Sequence, residues 1–129
     1  MRRSKEVKEG IEAFFLYWMP FFGYLSVIFY ISHQSDPAGG FTLPVSDKII
    51  HCIEFLLLPF FTIRAFRRCP AEKIRRNFLL FTIIFSLLYA ASDEFHQWFI
   101  PNRQCSFFDL IADYFGIGIG AFIFRNNTL

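Results

Sequence analysis

The sequence has few cysteines, no internal repeat and no low-complexity tract. Its three cysteines, Cys52, Cys69 and Cys105, form no CxxC motif and suggest no pairing, so neither a zinc ribbon nor a disulfide framework is indicated and we expect structural thiols. No A-x-A cleavage site follows the apolar run near the N-terminus, and that run is too long for the core of a signal peptide. We therefore expect a retained membrane helix there.

Apolar residues, in contrast, are abundant. They make up 54% of the 129 residues, phenylalanine alone occurs 20 times, and the mean hydropathy is +0.38. A soluble domain of this size has too small a core for so much apolar area, whereas lipid covers the outside of a membrane bundle. Four apolar segments, 13–32, 47–66, 77–99 and 107–124, are each long enough to cross about 30 Å of bilayer as a helix. The sequence predicts an all-α, polytopic membrane protein whose single domain, 13–124, is a small bundle of four transmembrane helices.

Proline and glycine within the segments predict local features of the bundle. We expect Pro20 and Gly23 to bend the first helix and Pro59 to kink the second. In the fourth helix, Gly116 and Gly120 form a GxxxG pattern within "GIGIG", which allows another helix to approach closely. No strand precedes these glycines, so they do not match a dinucleotide-binding motif.

The basic residues predict the orientation in the membrane, because lysine and arginine concentrate on the cytoplasmic side. Most of them fall in the N-terminal tail, the second loop and the C-terminal end: Arg2, Arg3, Lys5, Lys8, Arg64, Arg67, Arg68, Lys73, Arg75, Arg76 and Arg125. The other two loops contribute only Lys48 and Arg103. We expect both tails, 1–12 and 125–129, to be cytoplasmic and the first and third loops to face outward. Topology and lipid headgroup contact explain the basic runs better than nucleic-acid binding does.

Ionisable residues gather at the outward ends of three helices. One helix face carries Asp47, His51 and Glu54, a second carries Asp93, His96 and Gln97 with Glu94 beside them, and a third carries Ser106, Asp109 and Asp113. A charge in hydrocarbon costs at least about 3 kcal/mol, so we expect the three faces to turn inward and meet in one outward-open cavity, with Lys48 and Arg103 at its rim. A structural network of ion pairs and hydrogen bonds that only stabilises the bundle is the alternative.

Acid–base chemistry is the function that this cluster favours. Clustered carboxylates can share protons, histidine can act as a base, and arginine can bind phosphate or carboxylate through two hydrogen bonds. The predicted catalytic residues are Asp47, His51, Asp93, Glu94 and Asp109. The predicted substrate-binding residues are Gln34, Ser35, Lys48, Glu54, His96, Gln97, Arg103, Ser106 and Asp113. No cofactor is expected, although two histidines with several carboxylates leave a divalent metal open despite the lack of a known ligand motif.

Three stretches, "SHQS", "SDKIIHCIEFLLL" and "ASDEFHQWFIPNRQCSFFDLIADYFGIGIG", together resemble the VanZ-like family of small bacterial membrane proteins over about residues 13–124. The matching pattern is D-K-x-x-H, D-E-x-x-Q, P-x-R and D-x-x-x-[ND]-x-x-G. It covers Asp47, Lys48, His51, Asp93, Glu94, Gln97, Arg103, Ser106, Asp109 and Gly116. Asn102 stands where the family usually has glycine, and Asp113 where it usually has asparagine. The resemblance implies a protein of the bacterial cytoplasmic membrane, linked in some members to resistance against the glycopeptide teicoplanin.

Two functions from different classes remain open. The protein is either an enzyme that acts on a phosphorylated or lipid-linked cell-envelope substrate, or a non-catalytic binder of a lipid headgroup, a glycopeptide or a partner membrane protein. A proton-coupled transporter is a third hypothesis, which the absence of an evident internal repeat disfavours for a monomer. The substrate and the oligomeric state are not predicted.

Overall fold

The computed structural model describes residues 2–35, 44–101, 103 and 106–126, and most of these residues are helical. The elements are α1 (Arg2–Ala13), a π-helical turn (Phe14–Trp18), α2 (Met19–Ser32), α3 (Pro44–Arg67), α4 (Glu72–Arg76), α5 (Phe78–Gln97) and α6 (Phe107–Phe124). No strand occurs in these ranges. The predicted all-α class is therefore confirmed.

Four helical stretches within the described residues are long and apolar enough to cross a membrane: Val7–Ser32, Lys48–Arg67, Phe78–Gln97 and Phe107–Phe124. The predicted number of spans is confirmed. Their outer surfaces are apolar. In the most apolar 18-residue stretch of each span, only 11% to 39% is buried inside the protein. Such exposure of large apolar side chains suits lipid, which solvates them as well as a protein core does.

The first span differs from its expected limits because α1, the π-helical turn and α2 form one continuous helical run. The Met19 N–H bonds to the Phe14 carbonyl, five residues earlier. Pro20 has no N–H to offer the Leu16 carbonyl and its ring crowds that oxygen, so a wider turn ahead of the proline relieves the conflict. The irregularity thus lies at Phe14–Trp18, while a side chain at Gly23 would meet nothing within 4 Å.

Helix α3 is the centre of the bundle and packs against α2, α5 and α6. The core is a cluster of buried side chains to which all four spans contribute: Ile28, Phe55, Leu58, Ala90 and Ile117. Two tyrosine hydroxyls connect the helices by donating to backbone carbonyls, Tyr24 to Glu54 at 2.8 Å and Tyr89 to Leu25 at 2.8 Å.

The GxxxG pattern is where α6 meets α3. A side-chain carbon added at Gly116 would meet the Cys52 carbonyl oxygen and lie 3.0 Å from the Leu56 nitrogen. One added at Gly120 would meet the Leu56 carbonyl oxygen. The two helices therefore touch backbone to backbone, as the pattern predicts. Gly118 lies off this contact, because a carbon added there has nothing within 4 Å.

The basic residues of the second loop lie at the end of the bundle opposite the acids. Arg64 and Arg68 stack on the Tyr17 ring at 5.5 and 5.1 Å, and Arg67 stacks on Phe78 at 4.3 Å and donates to the Arg125 carbonyl. Arginines that cover aromatic rings at one rim of a bundle fit the boundary between hydrocarbon and headgroups.

Candidate functional site

A layer of buried ionisable side chains crosses the bundle near one end. His51, Asp93, Glu94, Asp109 and Asp113 are each no more than 5% exposed. They come from the first turns of α3 and α6 and from the last turns of α5, which runs antiparallel to both. The ends of three helices that are distant in sequence therefore meet. The described residues show the convergence of three polar faces that the sequence predicts.

At the centre of the layer, His51 and Asp113 connect α3 to α6. The His51 Nδ1 and the Asp113 Oδ1 are 3.0 Å apart, and these side chains are 3% and 0% exposed. The second Asp113 oxygen, Oδ2, is buried and has no hydrogen-bond partner within the described part of the chain. Glu94 of α5 completes the centre, because one donor atom from each of these three residues lies within 4.8 Å of the others.

A second cross-link between the same helices lies one turn nearer the end of the bundle. The Lys48 ammonium bonds to the Asp109 carboxylate, and the lysine side chain is 42% exposed whereas the aspartate side chain is 6% exposed. Lys48 precedes His51 by three residues and Asp109 precedes Asp113 by four, so each pair shares a helix face. Because α3 and α6 begin at the same end, these faces pair in register.

Helix α5 is attached to the layer through its two acids. The Ser106 N–H, at the N-terminal cap of α6, donates to the Glu94 Oε1, which places the carboxylate at the positive end of that helix. The Gln97 amide donates to the Asp93 Oδ2 at 3.2 Å, one turn along α5. Asp93 also neighbours the buried hydroxyl of Ser32 at the end of α2.

Two predicted residues lie at the edge of the layer. Glu54 is half-buried within electrostatic range of His51, Asp113 and Arg103. Its Oε1 is buried and has no hydrogen-bond partner among the residues described. Arg103 is half-buried, and its backbone N–H donates to the Ile100 carbonyl at 3.2 Å. Both side chains are thus less buried than those of the centre.

The structure brings the other predicted residues together only in part. Gln34 donates back to the Tyr30 carbonyl of its own helix at 3.3 Å, and Ser35 is exposed beyond it, so neither joins the layer. His96 lies at the rim, where its Nε2 is 3.3 Å from the Nδ1 of His33. Asp47 belongs to α3, but its side chain lies outside what the structure describes, as do Asn102, Gln104 and Cys105.

Two residues of this region escaped the sequence prediction. Ser32 is 2% exposed beside Asp93, and His33 pairs with His96. Ile28 and Ser32 are one helical turn apart and both are buried, so the sequence spacing could have shown that Ser32 shares the buried face of α2 with Ile28. The His33 pairing was not, because it depends on how α2 and α5 cross.

The layer is closed, whereas the sequence suggested an outward-open cavity. Its five central ionisable side chains are buried, whereas Lys48, Arg103 and Glu54 are only partly so. A groove of about 290 Å³ lies elsewhere, on the lipid-facing side between α5 and α6, with Leu87, Ile117 and Gly118 among its lining residues. It contains none of the predicted site residues.

A multi-pass helical bundle with a buried layer of imidazole and carboxylate groups defines the class as a polytopic membrane protein with a buried polar layer between its helices. A scan against models of protein families matches the VanZ/LLP1 family over residues 3–128, which is nearly the whole chain. The chain therefore belongs to the VanZ/LLP1 family. No curated protein and no solved structure matches it.

Proposed function

We propose that this VanZ/LLP1 protein carries out acid–base chemistry on a phosphorylated or lipid-linked cell-envelope substrate at the outer face of the bacterial cytoplasmic membrane. The observation that carries the proposal is the buried hydrogen bond between His51 and Asp113, with a Glu94 donor atom within 4.8 Å. Ionisable groups at membrane depth are costly, and they mark functional sites more often than structural ones.

The His51–Asp113 pair has the geometry of a general base with its orienting carboxylate. A carboxylate that accepts from one imidazole nitrogen holds the ring in one orientation and stabilises the imidazolium that forms when the other nitrogen takes a proton. Glu94 and Asp93 lie on the facing helix as carboxyl groups that can return a proton. Our assignment of roles is therefore His51 as base, Asp113 as its positioning residue, and Glu94 or Asp93 as acid.

The cations at the edge of the layer suit an anionic substrate group. The half-exposed Lys48 is bound to Asp109 and can exchange this partner for a phosphate, and Arg103 can bind a phosphate through two hydrogen bonds. Lys48 is the first residue of the second span and Arg103 lies between the third and fourth spans, which suits the depth of a lipid headgroup. A substrate carried on a lipid would thus present its anionic group to these cations without leaving the bilayer.

The orientation and the biological context extend the proposal. The basic residues of the second loop favour a cytoplasmic position for their end of the bundle, so the acidic layer faces the outer leaflet. Glycopeptides act on that side of the membrane, and some members of the VanZ-like family are linked to teicoplanin resistance. For this chain, a role in such resistance is part of the proposal.

A second candidate is a non-catalytic binder of a lipid headgroup, a glycopeptide or a partner membrane protein. The burial of the layer favours it, because a stabilising network needs no access for substrate and its two ion pairs already hold α3 and α6 together. In that case Lys48 and Arg103 would bind the ligand at the rim while the buried acids fix the bundle.

The deciding experiment is lipid mass spectrometry of membranes from cells that lack the protein and from cells restored with wild type, His51→Gln, Asp93→Asn or His33→Gln. His33→Gln is the matched control, since that imidazole lies outside the buried layer. We expect a lipid species that changes with wild type and the control but not with His51→Gln or Asp93→Asn. A wild-type lipid profile in both site variants, at equal expression, would exclude the catalytic proposal. Saturable binding without turnover would favour the binder.

A further inference from the structure

The centre of the polar layer carries more negative than positive charge. Around Asp113 lie the carboxyl groups of Asp93 and Glu94, and Glu54 lies within electrostatic range as well. The groups that can oppose them are His51 and His96, which are charged only when protonated, and Arg103. Four carboxyl groups facing two imidazoles and one guanidinium in the membrane interior call for a further source of positive charge or for protonation.

A buried carboxylate oxygen at the centre can accept such a charge. Asp113 is fully buried, and its Oδ2 has no hydrogen-bond partner within the described ranges. An unsatisfied buried acceptor costs about 1–3 kcal/mol, and more when it is ionised. This oxygen belongs to one of the three residues whose donor atoms lie within 4.8 Å of one another. Its position therefore points to a ligand between α3, α5 and α6.

We propose that His51, Glu94 and Asp113 form a divalent-metal site, with Zn²⁺ the cation that its donors fit. Imidazole nitrogen and carboxylate oxygen are both zinc ligands, and a catalytic zinc site has three protein ligands and an open fourth position. Mn²⁺ also accepts carboxylate ligands. Two ligands of a tetrahedral zinc ion with bonds of about 2.0 Å lie about 3.3 Å apart. The 3.0 Å between the His51 Nδ1 and the Asp113 Oδ1 is close to that spacing, so the cation can replace the proton that they share.

The surroundings also suit a metal. The Ser106 N–H holds one Glu94 oxygen, and such hydrogen bonds to ligating carboxylates orient them toward a bound ion. Three ligands from three different helices would make the bound ion a cross-link of the bundle. This inference rests on the proposed function at the same site and changes its assignment of roles: with a metal bound, His51 and Glu94 would be ligands, and Asp93 would be the carboxyl group left to return a proton. It is tested by metal binding rather than by activity.

The first test is zinc titration of the purified full-length protein in detergent after dialysis against a chelator, followed by calorimetry. We expect one Zn²⁺ per chain. His51→Gln, Glu94→Gln and Asp113→Asn should each weaken binding at least about tenfold, and Zn²⁺ should raise the unfolding temperature of wild type but not of these variants. The matched control is His33→Gln, which removes one imidazole of the His33–His96 pair and should bind zinc like wild type.

A measurement on the wild type alone keeps the test decisive if the variants fail to fold. Co²⁺ added in place of Zn²⁺ should give visible d–d absorption without the near-ultraviolet bands of a thiolate ligand. Any one of the following results would overturn the site: thiolate bands, loss of zinc binding in His33→Gln, binding that persists in all three ligand variants, displacement by equimolar Mg²⁺, or no binding at all. A lipid change that needs His51 in a protein that binds no metal would leave the proposed function standing alone. Zinc binding without any lipid change would support the site and contradict the proposed function.

Discussion

At the scale of single residues, the site consists of paired positions on α3 and α6. Lys48 faces Asp109, and one turn deeper His51 faces Asp113. The spacing of three and four residues made both faces readable from sequence. The partners were less predictable: His96 was expected to bind substrate with the other site residues, whereas it pairs with His33 at the rim. Which residues meet depends on the rotation and crossing of helices, and sequence spacing within one helix does not contain that information.

The outer pair predicts a measurable stability effect. Lys48→Ala should lower the free energy of unfolding by about 1–3 kcal/mol, because it leaves the 6%-exposed Asp109 carboxylate without its cation. The measurement is thermal unfolding in detergent. The double variant Lys48→Ala/Asp109→Asn should recover most of the loss, and the double-mutant cycle isolates the pair. An unfolding temperature for Lys48→Ala equal to that of wild type would show that the pair contributes nothing.

At the scale of elements, the contact between α3 and α6 determines the depth at which Lys48 meets Asp109 and His51 meets Asp113. Gly116 and Gly120 bring the α6 backbone against the Cys52 and Leu56 carbonyls. The GxxxG pattern predicted this approach, and the limits of α6 agree with the predicted segment 107–124. The π-helical turn and the short helix α4 were not foreseen. The first depends on how Pro20 is accommodated locally, and the second lies in a basic loop without an apolar period.

The glycine contact predicts a strong contrast between neighbouring positions. Gly120→Ala should destabilise the bundle by about 1–3 kcal/mol, because its new carbon meets the Leu56 carbonyl and the helices must separate. Gly118→Ala is the matched control: its carbon has open space, and alanine favours the helix by up to about 1 kcal/mol. Thermal unfolding of the two variants, measured side by side, checks the contrast. Equal unfolding temperatures would mean that α6 packs through a different face.

At the scale of the whole molecule, charge is separated along the bundle. The buried acids lie at one end and most arginines at the other, with apolar side chains facing lipid between them. The four spans were predictable because each needs only about 20 apolar residues. The closure of the polar layer was not predictable, because burial depends on how tightly four helices pack around it. Spacing shows that ionisable groups share a side of each helix, but not how much solvent reaches them.

The separation of charge leads to a topology prediction on which the proposed outward substrate depends. In a chain with Cys52, Cys69 and Cys105 changed to serine, Ser35→Cys and Ala71→Cys place single thiols at exposed positions on opposite ends of the bundle. Lysine and arginine are retained on the cytoplasmic side, so a membrane-impermeant maleimide should label Ser35→Cys in intact cells and Ala71→Cys only after permeabilisation. The reverse pattern would place the buried acids at the inner leaflet, where phosphorylated cytoplasmic substrates rather than envelope lipids would reach Lys48 and Arg103.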